Sequence, residues 1–423
     1  MLDTRQISAV AGLVLLCYGI VTTTACTDAV IKDQCSNAVV SSRTLSFAAE
    51  LSPRVTAASP GAALRLLEVA DNTTSTFGTN VAVKHRFICI SHAPTVLEVY
   101  PASDPIRQQN HAICIDGLNA AGLSIAVLYQ ENTTSMPFYD RTSSKTSAVN
   151  FLDLPAFLLA RYATAAAVEK DLKQNLQVVW APRYNAVGRL VAHGAQDAPP
   201  FHITVHDSTG ASLVLQFRHG VPEVLHNPLG VFANAPFLQE QLQHHKDWMQ
   251  QHNLTSDAKP NGKLWPLPGD YSSPSRFTRM AMVRAAALAT CWPTVAGNES
   301  QLLSPGTLPG RQYPQHSPAL LAVLGITQTV YLPRGMDDDG QAASTKASDR
   351  EVTPYSTLRD HTSKVFFYRT GNNIMYRAVS LASAAWPQGK DAISSKPLVP
   401  PQQSWAMDVT NTRYEGPSLH PDR

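Results

Sequence analysis

Thr23-Thr24-Ala25-Cys26-Thr27 joins an apolar leader to the first strand-like run of the chain. In the leader, Arg5 is followed by an apolar stretch from Ile7 to Val21 and then by small residues, a pattern typical of a secretory signal peptide. The apolar stretch is shorter than the roughly 20 residues that a membrane-spanning helix needs. We therefore expect residues 1–25 to be removed during export, which leaves Cys26 as the first residue of a periplasmic or secreted protein.

A cysteine in that position has chemistry that an internal cysteine lacks, because its own α-amino group lies within reach of its sulfur. The amine titrates near about 8 and a free thiol near about 8.5, so proton transfer between them is nearly balanced at neutral pH. The amine can then serve as the base, and no separate histidine is needed. Two other interpretations of Cys26 remain open. One is a lipid-bearing cysteine, which Thr23 disfavours, and the other is half of a disulfide.

The cysteine count agrees with an exported protein that has one thiol left over. After loss of the leader, the chain keeps five cysteines, an odd number: Cys26, Cys35, Cys89, Cys114 and Cys291. Disulfides persist in oxidising compartments, so if Cys26 is free the other four can form up to two bridges. They can equally be buried thiols.

The bulk composition describes a globular chain and names no charged partner. Hydrophobic residues make up 44% and charged residues 16% of the sequence, which suffices for a large core. The 34 basic and 32 acidic residues are mixed along the chain, so neither a nucleic-acid track nor an anionic membrane surface is indicated. No later segment has an apolar run long enough to cross a membrane. His244-His245, on a polar Gln-rich stretch, is the only close histidine pair, so we predict neither a metal site nor a cofactor.

Hydrophobic periodicity predicts a mixture of strands and helices. Strands are expected in these stretches: Ala29–Val40, Leu45–Ala49, Asn80–Ile90, Leu123–Tyr129, Thr327–Leu332 and Lys364–Arg369. The run Ile203–Phe217 has turn residues at its centre and predicts a hairpin, and Gly371-Asn372-Asn373 predicts another. Helical spacing is expected over Phe151–Leu176 and Arg276–Thr290. We expect loops over Pro293–Pro314 and Gly335–Ser356, and a poorly structured Pro-rich tail over 386–423.

Several blocks, in order along the chain, resemble the choloylglycine hydrolase family of N-terminal nucleophile enzymes, which includes penicillin V acylases and bile salt hydrolases. The blocks begin at Cys26 and continue with Ser42-Arg43-Thr44-Leu45-Ser46-Phe47 and Asp116-Gly117-Leu118-Asn119-Ala120-Ala121-Gly122-Leu123. Further on are Val231-Phe232-Ala233-Asn234-Ala235-Pro236 and the most specific block, Leu267-Pro268-Gly269-Asp270-Tyr271-Ser272-Ser273-Pro274-Ser275-Arg276-Phe277.

The resemblance implies an α+β fold of the four-layer αββα type, with one catalytic domain over 26–385. It implies hydrolysis of a linear amide bond in a small acyl-amide substrate, with Cys26 as the nucleophile. Asn234 and a backbone N–H near Tyr129 would hold the oxyanion, while Arg43 and Arg276 would favour the thiolate and orient the site. Since relatives often form tetramers, the resemblance also suggests a homotetramer.

Two positions bear on specificity and on activity. Tyr129 falls at a substrate-binding position that is Tyr in penicillin V acylases and Asn in bile salt hydrolases, which favours penicillin V or N-acyl homoserine lactones over conjugated bile salts. Ser46 stands where the family has the Asp that holds the α-amine. A hydroxyl accepts a hydrogen bond but brings no negative charge. Either Asp28 or Glu50 substitutes, or the amine is poised differently, or activity is weak. The competing hypothesis is an envelope protein that binds acyl ligands without cleaving them.

Overall fold

The structure is a computed structural model, and it describes residues 26–47, 53–66, 80–91, 113–130, 144–179, 201–254, 266–289, 318–332, 352–371, 373–382, 386–387 and 393–398. The predicted signal peptide at 1–25 lies outside these residues, as do Glu50, Cys291 and the predicted loop over Pro293–Pro314.

Within the described part, strands alternate with a small number of helices. The strands are β1 Thr27–Lys32, β2 Val39–Phe47, β3 Arg54–Ala58, β4 Ala63–Arg65, β5 Asn80–Ala82, β6 Phe87–Ser91, β7 Cys114–Asn119, β8 Ser124–Tyr129, β9 Ser147–Asn150, β10 Leu176–Val179, β11 Phe201–His206, β12 Ser212–Arg218, β13 Val221–His226, β14 Val231–Ala233, β15 Val352–Asp360, β16 Val365–Thr370, β17 Asn373–Ser380 and β18 Ile393–Pro397. The helices are α1 Leu154–Arg161, α2 Ala165–Gln174, α3 Leu238–Gln251, α4 Ser273–Leu288 and α5 Pro318–Gln328.

Two antiparallel sheets form the centre of the molecule. One has six strands in the order β14-β1-β2-β15-β16-β17, and the other has eight in the order β13-β12-β11-β8-β7-β6-β3-β18. In the first sheet Thr27 lies opposite both Thr44 of β2 and Ala233 of β14. This register places Cys26, which precedes β1, beside Asn234, which follows β14.

The sheets face each other, and helices cover their outer faces. Successive side chains on β7 show this, since strand residues alternate between faces. Asp116 points inward to Arg359 of the six-stranded sheet, while a Cβ on Gly117 would lie 2.6 Å from Leu159 of α1. On the other side α4 and α5 pack against β1, and α3 packs against α4. The predicted four-layer αββα architecture is therefore confirmed.

Several predicted elements are confirmed, one of them with a break. The hairpins β11–β12 and β16–β17 form where the turn residues indicated them. Helix α4 covers most of Arg276–Thr290. The long helix expected over Phe151–Leu176 is two helices, because Thr164 leaves the helical conformation and caps α2 through its side chain.

The strand expected at Thr327–Leu332 is wrong, because its first residues belong to α5. The buried residues of that helix recur at helical intervals: Ala319, Leu320, Val323, Ile326 and Thr327. The Thr327 hydroxyl donates to the Val323 carbonyl, as a helical threonine can. The β-branched residues after position 325 had favoured a strand, and packing against the six-stranded sheet overrides that preference.

Two regions expected to be irregular contain strands. Part of the loop predicted over Gly335–Ser356 belongs to β15, which lies in the interior of the six-stranded sheet. The strand is polar in sequence, but its Thr, Ser and Arg side chains are buried. Within the Pro-rich tail, β18 pairs with β3 at the edge of the eight-stranded sheet. An edge strand tolerates proline, which cannot donate to the ladder.

Candidate active site

Cys26 lies at the entrance to β1 with its side chain buried between two polar groups. The residue is 2% exposed, and it is the free cysteine among the residues the structure describes. Its Sγ lies 3.9 Å from Nη2 of Arg43 and 3.8 Å from the main-chain oxygen of Ser46. Of the interpretations left open by the sequence, the structure contradicts a disulfide at Cys26, while Cys89 and Cys114 are bonded to each other and Cys35 is also in a disulfide.

Arg43 brings a positive charge to that sulfur from the neighbouring strand. It is 1% exposed, Nη1 donates to the Tyr355 hydroxyl at 2.9 Å, and Nη2 donates to the Val127 carbonyl. Burial disfavours the charged guanidinium, but attraction to Tyr355, Cys26 and Asp116 outweighs it and raises the pKa of Arg43. A fixed cation beside a thiol favours the thiolate.

Arg276 ties Cys26 to Asn234 from the first turns of α4. Its Nη1 donates to the Cys26 carbonyl at 2.8 Å and its Nη2 donates to Oδ1 of Asn234 at 3.2 Å. Because Oδ1 is occupied by a donor, the amide nitrogen Nδ2 faces the other way and donates to the Tyr129 carbonyl at 2.8 Å. Four of the residues predicted to form the site, Cys26, Arg43, Asn234 and Arg276, therefore meet around one point.

The Pro-Gly-Asp block before α4 is what aims Arg276. Asp270 accepts from the backbone N–H of Ser272 at 2.9 Å and from the Ser275 hydroxyl at 2.6 Å, which fixes the start of the helix. The Tyr271 carbonyl then accepts from Nε of Arg276 at 2.8 Å. The block therefore positions a guanidinium and does not itself reach the sulfur.

Tyr129 contributes its main-chain carbonyl at the site, and its ring packs against Phe201. The ring meets Phe201 edge-on at 6.2 Å, and Phe201 stacks on Phe151 in the core beneath α1 and α2. The carbonyl of Tyr129 is the group that contacts Asn234.

Ser46 offers no free hydroxyl toward Cys26 in this arrangement, because its Oγ pairs with Oγ1 of Thr353 at 3.0 Å. Its main-chain carbonyl is the group near the sulfur. Asp28, one of the proposed substitutes, is committed to a different set of partners: Arg359, His206 and Thr204. Glu50 lies outside the described residues.

The Asp-Gly-Leu-Asn block has structural duties next to the site. Asn119 donates to the carbonyls of Leu159 and Tyr162 and accepts from two backbone N–H groups of its own turn, so it fastens α1 to β7. Gly117 allows the close approach of α1, and Gly122 has a φ of +91°, which favours glycine. Asp116 enters the layer between the sheets.

Sequence reasoning missed a buried charged layer beneath the site. Asp28, Asp116 and Arg359 are each at most 1% exposed, and Arg359 contacts both carboxylates. One signal was present in the sequence, since His202, Thr204 and His206 alternate with apolar residues along β11, the pattern of a strand with one polar face. Their burial could not be inferred, because a polar face normally meets water.

No set of three or more His, Cys, Asp or Glu side chains suited to a metal ion occurs in the described ranges. Likewise, none of the helices α1 to α5 is long and apolar enough to cross a membrane.

Comparison with known proteins places this geometry in a family. A family model described as linear amide C–N hydrolases, choloylglycine hydrolase family, matches residues 26–293. An uncharacterized protein of Paramecium bursaria Chlorella virus 1 is 31% identical over 174 residues, which are 40% of this chain and 57% of the viral protein. A bile salt hydrolase/transferase of Lactiplantibacillus plantarum is 24% identical over 286 residues, 64% of this chain and 74% of that protein.

Solved structures of similar fold include a bile acid hydrolase and a penicillin V acylase, the two kinds of enzyme that the sequence resemblance indicated. A variant of the conjugated bile acid hydrolase from Clostridium perfringens has a TM-score of 0.61 at 17% identity, covering 88% of this chain and 97% of that chain. Penicillin V acylase from Agrobacterium tumefaciens has a TM-score of 0.58 at 18% identity, covering 84% and 86%. These values support the fold and do not separate the two branches. Because the family model matches residues 26–293, which are more than half of the sequence, the chain belongs to the choloylglycine hydrolase family of linear amide C–N hydrolases.

Proposed function

We propose that the exported protein hydrolyses a linear amide bond with Cys26 as an N-terminal nucleophile, and that its substrates are acylated β-lactams such as penicillin V or N-acyl homoserine lactones. The observation that carries the proposal is the convergence of Arg43 on the Cys26 sulfur and of Arg276 on both Cys26 and Asn234. A free thiol beside Arg43, in a residue whose carbonyl is linked to the Asn234 amide through Arg276, has the components of an acyl-transfer site.

In the first step the thiol proton passes to the α-amine of Cys26, and Sγ attacks the substrate carbonyl carbon. Arg43 stabilises the thiolate that attacks. Negative charge moves to the carbonyl oxygen, and we assign an N–H of the Asn234 amide to that oxygen. Arg276 and the Tyr129 carbonyl orient this amide before substrate arrives, so little reorganisation is needed during reaction.

In the second step the α-ammonium gives its proton to the leaving nitrogen, the C–N bond breaks and an acyl thioester remains on Cys26. Water then attacks the thioester carbon after giving a proton to the same amine. The carboxylic acid leaves, and the sulfur regains its proton. The net reaction converts one amide and one water into one acid and one amine, with the α-amine acting first as base and then as acid.

Processing and the nucleophile are tested together. Mass measurement of the mature protein is expected to show a chain that begins at an unmodified Cys26. Replacement by Cys26→Ser should abolish amide cleavage while the thermal unfolding curve stays close to that of wild type. Cleavage retained by the Cys26→Ser protein would move the nucleophile elsewhere.

The substrate class is tested with a panel of amides. We expect turnover of penicillin V or an N-acyl homoserine lactone to exceed that of a glycine-conjugated bile salt. Comparable turnover of bile salt and penicillin V would overturn the ranking, and the name of the Lactiplantibacillus plantarum relative makes bile salts the alternative substrate.

A second candidate function is an acyl-ligand-binding protein of the cell envelope that does not cleave. The observation that favours it is at Ser46, whose hydroxyl is bound to Thr353 and carries no charge for an ammonium. Binding of penicillin V by calorimetry without release of product, or a mature protein that is lipidated or begins before Cys26, would favour this function over hydrolysis.

A further inference from the structure

Four buried charged side chains lie together between the two sheets. They come from four different strands, and none is more than 1% exposed: Asp28, Arg43, Asp116 and Arg359. An unpaired charge at this depth costs several kcal/mol, so the positive and negative charges in such a cluster are expected to be equal in number. Two carboxylates and two guanidinium groups satisfy that requirement.

The pairing within the group is unequal. Arg359 contacts both carboxylates, with Nη2 on Oδ1 of Asp28 and Nη1 3.3 Å from Oδ1 of Asp116. Further side chains hydrogen-bond to the two carboxylates: Thr204 and His206 contact Asp28 at 2.5 Å each, and Thr357 contacts Asp116.

Arg43 makes different contacts. Its partners are the Tyr355 hydroxyl, the Val127 carbonyl and the Cys26 sulfur, and no carboxylate oxygen of the described residues lies within ion-pair distance of it. A carboxylate placed directly on this guanidinium would offset its attraction for a thiolate.

We infer that Arg359 and Asp116 are positioning residues for the reaction: Arg359 holds both buried carboxylates, and the positive charge of Arg43 is thereby directed to the Cys26 sulfur. The inference rests on the proposed role of Cys26 and adds a role for a strand that lies outside the family match at 26–293. Burial raises the pKa of Asp116, and the attraction of Arg359 and Arg43 opposes that rise. The contact with Arg359 favours the ionised form of Asp116, and an ionised Asp116 in turn limits how strongly Arg43 favours the thiolate.

Other groups that can carry charge face the same space, and they bear on any measured pH dependence. Burial lowers the pKa of His202 and of His361 to about 3, so both are neutral at working pH. The set also includes the α-amine of the processed chain. The side chains that complete it are Asp28, His206, Arg276 and Tyr355.

The test measures the thiol itself and does not depend on amide turnover. Thiolate absorbance is followed against pH in the full mature protein, with Cys26→Ser as the blank. Asp116→Asn keeps the shape and removes an anion, so it should lower the apparent pKa of Cys26 by about one unit. Arg359→Gln should raise it by about one unit, and Arg359→Lys should lie near wild type.

Arg369→Gln is the matched control in the same sheet. Arg369 is also buried, but it donates to the Ser356 hydroxyl and stacks on Tyr331 and Tyr376, away from the carboxylates. Its loss should lower stability and leave the thiol pKa unchanged.

Opposite shifts in Asp116→Asn and Arg359→Gln would support the inference, because a purely structural role gives no reason for opposite signs. If Arg359→Gln does not fold, the isosteric Asp116→Asn still decides. An unchanged thiol pKa in Asp116→Asn would overturn the inference even if hydrolysis requires Cys26. Hydrolysis retained by Cys26→Ser would instead overturn the proposed function and leave the thiol shifts intact.

Discussion

Replacing Arg276 with glutamine tests whether this residue organises the chemistry or merely fastens a helix. Within the described residues the side chain donates to the carbonyls of Tyr271 and Cys26 at 2.8 Å each and to Oδ1 of Asn234 at 3.2 Å. Glutamine is shorter and uncharged, and it cannot span all three partners. The chain provides a matched control in Arg284, which lies on the same helix as Arg276. The Nε of Arg284 donates to the carbonyl of Val30 in β1 at 2.7 Å.

The expected magnitudes differ between stability and rate. Hydrogen bonds from a charged donor contribute about 1.5–3 kcal/mol each, so Arg276→Gln should lower the free energy of unfolding by several kcal/mol. Arg284→Gln removes one such bond and should cost about 1.5–3 kcal/mol. The rate should also fall, because the Asn234 amide loses the hydrogen bond from Arg276 that orients it as an oxyanion donor. We expect kcat to fall on the order of 10²-fold in Arg276→Gln and to change less than about twofold in Arg284→Gln.

The assay measures kcat and KM for the best amide substrate, together with urea unfolding of each variant at the same pH. Loss of an interaction made in the transition state lowers kcat and kcat/KM together, whereas a loss of uniform binding raises KM alone. If both variants lose kcat in proportion to their lost stability, the role of Arg276 is only structural, and the assignment of Asn234 as an oxyanion donor loses its support.

Three further outcomes are expected. Ser46→Asp places a carboxylate next to the Thr353 hydroxyl near Cys26, which should raise the pKa of the α-amine and move the corresponding limb of the kcat/KM pH profile to higher pH; an unmoved limb would place the amine away from position 46. Gly117→Ala puts a methyl group 2.6 Å from Leu159 and 2.8 Å from the Ile88 carbonyl, so urea unfolding should show a loss of about 1–3 kcal/mol with the thiol pKa unchanged. Burial lowers the pKa of His202 and His361 from 6.5 to about 3, so the unfolded chain binds their protons first as pH falls, and stability should drop below pH 6.5 by about 1.4 kcal/mol per pH unit for each histidine. Unfolding free energies that stay level between neutral pH and about pH 5 would contradict that account.

The family and the fold class were predictable from sequence, because each depends on local order along the chain. Cys26 after a leader, the odd cysteine count and the ordered blocks up to Arg276 together indicated an N-terminal nucleophile enzyme, and the two hairpins followed from their turn residues. These patterns can be recognised without coordinates, because the residues that define a turn or a helix end lie within a few positions of one another.

The partners of each side chain were decided by tertiary structure alone. The sequence gives no measure of burial for polar residues, so the first part of β15 was expected to be a loop, and the burial of the polar face of β11 was not anticipated. Strand order in the six-stranded sheet brings Arg359 of β15 to Asp28 of β1, 331 positions away in the chain, and so engages the one described acid that had been considered as a substitute at Ser46. Stacking of the eight-stranded sheet then brings Asp116 to the same arginine. Charges far apart in sequence pair in low dielectric because leaving them unpaired there is costly, and that cost exists only once the sheets have closed around them.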